Sequence, residues 1–317
     1  VTLHKIEYKM VNRILIRIKV IQLHYSYLLT QNDISVEQAR KQLHDSLDKS
    51  YELYHALLVM MIDLTRMQEM NIDYARNKYL PTDEELNPNM RFVDNEFIKS
   101  LVENEDLNKY LKENPISWKD DVYMHLLLSK ITESDIYNEY MSRPDTDYRI
   151  DTEFWREILK KIIIDNDDFA EFLETKSLYW NADLDIINTF VLKTMRRWAE
   201  GQEHKLLPMY KDKEDEQFAD KLFDDVVKNQ DKYNSLIDKF VNTDSWDADR
   251  IAFMDRVILL TALSEVMNFP KIPTSVTLNE YIELAKQYST NRSGVFVNGI
   301  LDAIIKHLKK EKLIVKE

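Results

Sequence analysis

No cysteine occurs among the 317 residues, so disulfides, thiolate nucleophiles and cysteine-based zinc sites are excluded. Nothing points to an oxidising compartment, and the cytoplasm is the expected location. Glycine is nearly absent, with only Gly201, Gly294 and Gly299. Dinucleotide-binding and P-loop folds need clustered glycines so that backbone can approach phosphate, and both classes drop out. The same shortage, in a chain rich in Leu, Ile, Lys, Glu and Asp, disfavours a turn-rich β architecture. The expected fold class is all-α. Long apolar runs are also missing: the longest, Ala56 to Ile62, ends at Asp63, far short of the ~20 residues that span a bilayer. No membrane association is expected, and the N-terminal segment keeps cations where a signal peptide would be apolar. The seven histidines are scattered, with no His-x3-His pair and no nucleophile motif. Neither a metal, a cofactor nor a catalytic triad is expected, and the chain reads as a non-enzyme.

What is present is acid, unevenly spread. The formal charge is −13, which argues against a protein that coats DNA or RNA over its whole surface. Residues 1 to 32 nevertheless carry a net +4, from Lys5, Lys9, Arg13, Arg17 and Lys19 against Glu7, which leaves −17 for the other 285. Any nucleic-acid contact should be local and start from that segment. Lys5, Lys9, Arg13 and Arg17 are four apart, and four-residue steps drift about 40° on a helix, so they would form one slanted stripe if the helix began that early. Met10-Val11-Asn12-Arg13 reads as a native start, which leaves Arg13 and Arg17 as the firmer cations.

Apolar spacing predicts an amphipathic helix from about Asn12 to Leu29. Ser35 with Gln38 forms a capping-box pattern that opens a long helix to about Met70. Beyond it, Pro81, Pro88, Pro115 and Pro144 punctuate a polar stretch, with shorter helices near Asn95 to Lys112 and Trp118 to Met141. The expected organisation is 1–80 as N-terminal helices, 81–213 as a helical insertion and 214–317 as a C-terminal bundle. From Asp151 onward the pattern Phe154, Ile158, Leu159, Ile162, Ile163, Phe169, Leu173 and Trp180-Asn181-Ala182-Asp183 is echoed 64 to 66 residues later. The echo is Phe218, Leu222, Phe223, Val226, Val227, Tyr233, Ile237 and Trp246-Asp247-Ala248-Asp249. Partial duplication of a helical unit and two unrelated helix pairs with the same core period both account for it.

Near the C-terminus the chain reads Ile272-Pro273-Thr274-Ser275-Val276-Thr277-Leu278-Asn279-Glu280, and later Phe296-Val297-Asn298-Gly299-Ile300-Leu301-Asp302. Together with Arg13, Arg17, Gln22, Tyr25 and Gln31-Asn32-Asp33 at one end, and Phe218 to Val227 and Asp255-Arg256 before the signature, this resembles the NusB transcription antitermination family. The resemblance covers about 13 to 33 and 215 to 305. Three departures stand out: Tyr281-Ile282 where the family has Ala-Val or Ala-Ile, Leu260 where it has a second basic residue, and roughly 150 additional residues between Ser35 and Glu214. The implied fold is a NusB-like helical bundle with a helical insertion.

The resemblance implies a factor that binds a single-stranded, boxA-like element of the nascent ribosomal RNA leader. It would do so with NusE, a small-subunit ribosomal protein, inside an RNA polymerase antitermination complex. Single-stranded RNA needs cations for phosphates, flat side chains for stacking and polar groups for base edges. Arg13, Arg17, Tyr25, Tyr288, Arg292, Ser293 and Phe296 are the implied RNA contacts, and Asp255 and Glu265 the implied NusE contacts. Each also has a plainer reading. Arg13 and Arg17 suit a solvated helix face, Phe296 suits the core, and Asn298-Gly299 suits close helix packing. Thr277 with Glu280 suits a capping box, and Asp255-Arg256 a surface pair. A helical interaction scaffold without RNA binding is the alternative function.

Overall fold

The structure is a computed structural model, and it describes residues 12–30, 33–119, 121–210, 212–241 and 251–316. Lys5, Lys9, Gln31, Asn32 and the string Trp246 to Asp249 lie outside the described residues. Among the described residues every regular element is a helix and there is no strand. The chain divides into two compact units, Val1–Leu47 with Tyr210–Glu317, and Asp48–Met209.

The first unit contains α1 (Arg13–Leu29), the start of α2 (Val36–Arg76), α11 (Lys213–Lys228), α12 (Gln230–Val241), α13 (Phe253–Asn268), α14 (Thr274–Tyr288) and α15 (Ser293–Lys310). Asn12 caps α1 by accepting from the Leu15 amide at 2.8 Å. The box at Ser35 and Gln38 closes in both directions, at 3.2 and 2.8 Å, and starts α2. At the centre lies α13, buried without a break from Val257 to Val266 because α1, α11, α12, α14 and α15 all pack on it. A helix enclosed on every side has no need of a polar face, which is why its sequence carries no amphipathic stripe. Leu260 is buried there with the rest, so the basic residue expected by family resemblance gives way to an apolar core position.

The second unit contains the rest of α2, α3 (Asp83–Leu86), α4 (Glu96–Val102), α5 (Glu105–Glu113), α6 (Val122–Thr132), α7 (Asp135–Ser142), α8 (Tyr148–Ile158), a π-helical turn (Leu159–Ile164), α9 (Asp167–Lys176) and α10 (Leu178–Ala199). The two helices expected over 95–112 and 118–141 are each divided. Asn104 accepts from the Leu107 amide at 2.9 Å and Ser134 from the Tyr137 amide at 3.1 Å, so each side chain opens a new helix inside the expected one. Buried aromatics fill the core, among them Phe92, Phe97, Trp155 and Trp198. Trp118 is pinned by its indole N–H on the Ala56 carbonyl and its amide on Asp63, both at 2.8 Å.

The two echoed segments each fold as consecutive helices, α8 to α9 and α11 to α12, and their aligned positions are mostly buried. They differ where α8 runs into the π-helical turn while α11 continues unbroken.

Candidate nucleic-acid interface

The expected site residues separate into an interior group and a surface group. Arg17 and Glu265 belong to the interior. The Arg17 guanidinium donates to both carboxylate oxygens of Glu265, at 2.7 and 2.9 Å, and both side chains are almost fully enclosed. Thr277 donates to Glu265 at 2.8 Å, Tyr281 donates at 3.3 Å, and Glu280 lies 3.5 Å from Arg17. Burial works to lower the Arg17 pKa, but the Glu265 hydrogen bond and charge outweigh it and hold the pKa above its ordinary value. Burial first, and then the Glu265 charge, pushes the Tyr281 hydroxyl far upward, so it remains a donor. Neither Arg17 nor Glu265 is available to a partner in this arrangement. The expected surface contacts at these two positions become a structural tie between α1, α13 and α14. Tyr281, a departure from the family pattern, joins that tie through its hydroxyl.

Other expectations change for related reasons. Thr277 lies inside α14, one turn past its start, and serves Glu265 in place of a capping box. Asp255 and Arg256 do not pair with each other: Arg256 bonds Asn234 and Asp238, each at 3.0 Å, while Asp255 is buried. Phe296 is buried in the first turn of α15, in keeping with packing. Gly299 is exposed, and a Cβ there would meet nothing within 4 Å, so close helix packing does not explain it.

The surface group gathers where α1 meets the N-terminal end of α13, which is bonded in turn to the N-terminal end of α15. Tyr25 is half-buried and meets the ring of Phe253 edge to face, with centroids 5.1 Å apart. Phe253, which sequence reasoning missed, is 40% exposed at the first position of α13. The only cue was an aromatic two residues before Asp255, at a helix start where burial is rarely complete. Within the first turn of the helix, Asp255 accepts from the Ser293 hydroxyl at 2.9 Å, and its other oxygen, Oδ1, is buried with no hydrogen-bond partner among the described residues. The Ser293 oxygen also accepts from the Thr290 amide at 3.0 Å and lies 2.8 Å from the Thr290 hydroxyl. Ser293 is therefore an anchor that fixes the turn after Tyr288, and Arg292 stands exposed at its end. Tyr288 is half-buried at the other end of the same turn.

Among the described residues neither α13 nor α15 has a side-chain cap, and both direct the positive ends of their dipoles to this surface. The arrangement offers an exposed cation, two helix N-termini and a pair of aromatic rings within one unit. That combination suits an anionic strand carrying flat bases. Arg13 lies apart from it at the start of α1. Its guanidinium is 3.2 Å from Asp215 and 5.2 Å over the Phe218 ring, with its side chain 32% exposed. Among the described residues no group of three or more His, Cys, Asp or Glu is placed to hold a metal. No described helix is long and apolar enough to cross a membrane.

The NusB family model matches residues 153–306, from α8 through most of α15. The transcription antitermination protein NusB of Salinibacter ruber is 40% identical over 109 residues, which cover 34% of this chain and 67% of the relative. The protein of the same name from Natranaerobius thermophilus is 36% identical over 96 residues, covering 30% and 68%. That from Methylacidiphilum infernorum is 35% identical over 95 residues, covering 30% and 65%. The family model leaves α1 out, but α1 packs on α11 and α13 and is part of the same bundle. On these matches and the all-helical bundle that carries them, the chain belongs to the NusB family, a family of transcription antitermination factors and not of enzymes.

Proposed function

We propose that this protein acts in transcription antitermination by binding a short single-stranded element of the nascent ribosomal RNA leader together with NusE. In the cytoplasm, as part of an RNA polymerase antitermination complex, it would help polymerase read through termination signals. One observation carries the reading: Tyr25 and Phe253 form an aromatic surface beside a turn that Asp255 and Ser293 hold in place, with Arg292 exposed on it. Arg292 takes the phosphate role, Tyr25 and Phe253 offer faces or edges for bases, and Tyr288 borders them. Asp255, buried, acts indirectly, by holding Ser293 and so the turn that borders the surface. Arg17 and Glu265 act from the interior, by tying α1 to α13, and Phe296 is buried in α15. The N-terminal helix and the segment from 214 onward carry the contacts, and the intervening segment is additional scaffold.

The test is a titration of labelled ribosomal leader RNA with the protein, alone and with NusE, at two salt concentrations. Binding should be tighter with NusE and fall with salt, and Arg292→Glu or Phe253→Ala should weaken it, by ~1 to 3 kcal/mol for the lost stacking partner. Absence of specific binding in both arrangements would sink the proposal. It would leave the scaffold reading, which the concentration of acid in the second unit favours.

A further inference from the structure

A groove of about 690 Å³ runs along α11 in the first unit, bounded by Arg13 at the start of α1 and by the α13–α14 loop from Asn268 to Ile272. Its floor is aromatic. Phe218 and Phe269 meet edge to face at 4.8 Å, and the Arg13 guanidinium lies over Phe218. The charges around it fall into two sets. Two of its three acids are paired with cations: Glu214 lies 3.0 Å from Lys271 and 3.8 Å from Arg13, and Asp224 accepts from Arg40 at 2.9 Å. Asp225 accepts from Tyr233 and from Asn229, both at 2.7 Å.

The bases of α11 are not so engaged. Lys213 and Lys228 make no hydrogen bond or ion pair among the described residues, and Lys221 meets only the neutral amide of Gln217, at 2.9 Å. All three are exposed. Their spacing of eight and seven residues keeps them on one face of the helix, about 12 and 10.5 Å apart along its axis. Three lysines without a charged partner among the described residues stand against the single carboxylate of Asp225, so the uncommitted charge in this groove is net positive, arranged as a row beside an aromatic floor, in a chain whose net charge is −13.

We propose that this groove is a second contact for the same RNA, in which Lys213, Lys221 and Lys228 follow the phosphates of a single strand past Arg13 and Phe269. The proposal rests on the RNA-binding reading above. Charge complementarity selects the occupant: a phosphodiester strand presents repeated negative charge along a line, as the lysines present positive charge, and its bases can stack on guanidinium or aromatic planes. Arg13 and Tyr25 are twelve residues apart on α1, about 18 Å along the helix, so a short oligonucleotide at the Tyr25 surface would leave the groove empty.

The experiment compares leader RNAs of about 6 and about 16 nucleotides against the full chain, its Lys213→Gln, Lys221→Gln, Lys228→Gln triple variant, and a control triple, Lys306→Gln, Lys310→Gln, Lys312→Gln, with the same change in net charge. The groove variant should bind the long RNA at least about tenfold more weakly at low salt, with a log-log salt slope smaller by about 2, while the short RNA and the control change little. Unchanged long-RNA affinity in the groove variant overturns the proposal, and so does an equal loss in both triples, which would mean that only net charge acts. Self-association of the wild type that the groove triple abolishes, with RNA affinity intact, would assign the groove to a second copy of the chain. If the wild type binds neither RNA, the antitermination reading itself has failed and the groove falls with it.

Discussion

Arg17 illustrates how a side chain drawn from a surface motif can end in the interior. The Arg17 guanidinium donates twice to a carboxylate that also accepts from a threonine and a tyrosine hydroxyl, so its charge is matched inside the bundle. Removing one partner leaves the other buried and unpaired, so Arg17→Ala and Glu265→Ala should each cost ~3 to 5 kcal/mol in denaturant unfolding. The double change Arg17→Met, Glu265→Leu should cost less than either single change, because no orphaned charge remains. A double-mutant cycle checks this, and strictly additive losses would refute the tie. Histidine supplies a pH dependence at the same scale. His24 in the first unit and His55 in the second are buried, and burial lowers each pKa from 6.5 to about 4. Because the folded value lies below the unfolded one, the unfolded chain binds the extra proton first. Stability is then fully present above pH 6.5 and is lost as pH falls toward 4, by on the order of 3 kcal/mol per histidine. His24→Phe should flatten that slope in the first unit, measured as denaturation midpoint against pH.

At the scale of elements, Gly299 is the instructive case. It sits within α15, exposed, where an added Cβ meets nothing. Replacing it by Ala should raise stability by ~0.5 to 1 kcal/mol, through helix propensity and a less flexible unfolded chain. Loss of stability by thermal unfolding would mean that the helix needs glycine there for a reason outside these contacts. The long helices were legible from the sequence, since α1 and α2 follow from apolar period and the cap at Ser35. Their subdivision in the second unit was not. Asn104 and Ser134 are common polar residues, and whether such a residue caps a helix or sits on its flank depends on where the chain turns next. Asp255 escaped for a similar reason: the neighbour that matters is Ser293, on another helix, and not Arg256 beside it in sequence.

Across the whole molecule the charge is partitioned. The second unit carries 33 Asp and Glu against 20 Lys and Arg, a net −13, while the first carries 23 of each. The acidity that argues against coating nucleic acid over the whole surface thus belongs to the second unit, and the unit with the candidate interface is neutral overall. Long-range repulsion from the acidic second unit should slow encounter with RNA. Neutralising Asp83, Glu84 and Glu85, with amides in their place, should raise the association rate at low salt and lose that effect above about 0.15 M, where the Debye length is about 8 Å. Stopped-flow rates at two ionic strengths measure it, and a salt-independent change would contradict a field effect.

The sequence by itself determined the class of secondary structure, through the absence of glycine and the apolar period, and it determined the family, through strings that are locally contiguous. It also named most of the residues at the candidate interface. Only the tertiary structure decided which of them face outward. A guanidinium reads the same in a linear pattern whether it meets a phosphate or a buried carboxylate, and that difference is made by helices far apart in the chain. Arg17 meets Glu265 across 248 residues and Tyr25 meets Phe253, so folding alone separates the arginine that ties the core from the aromatic pair that reaches the surface.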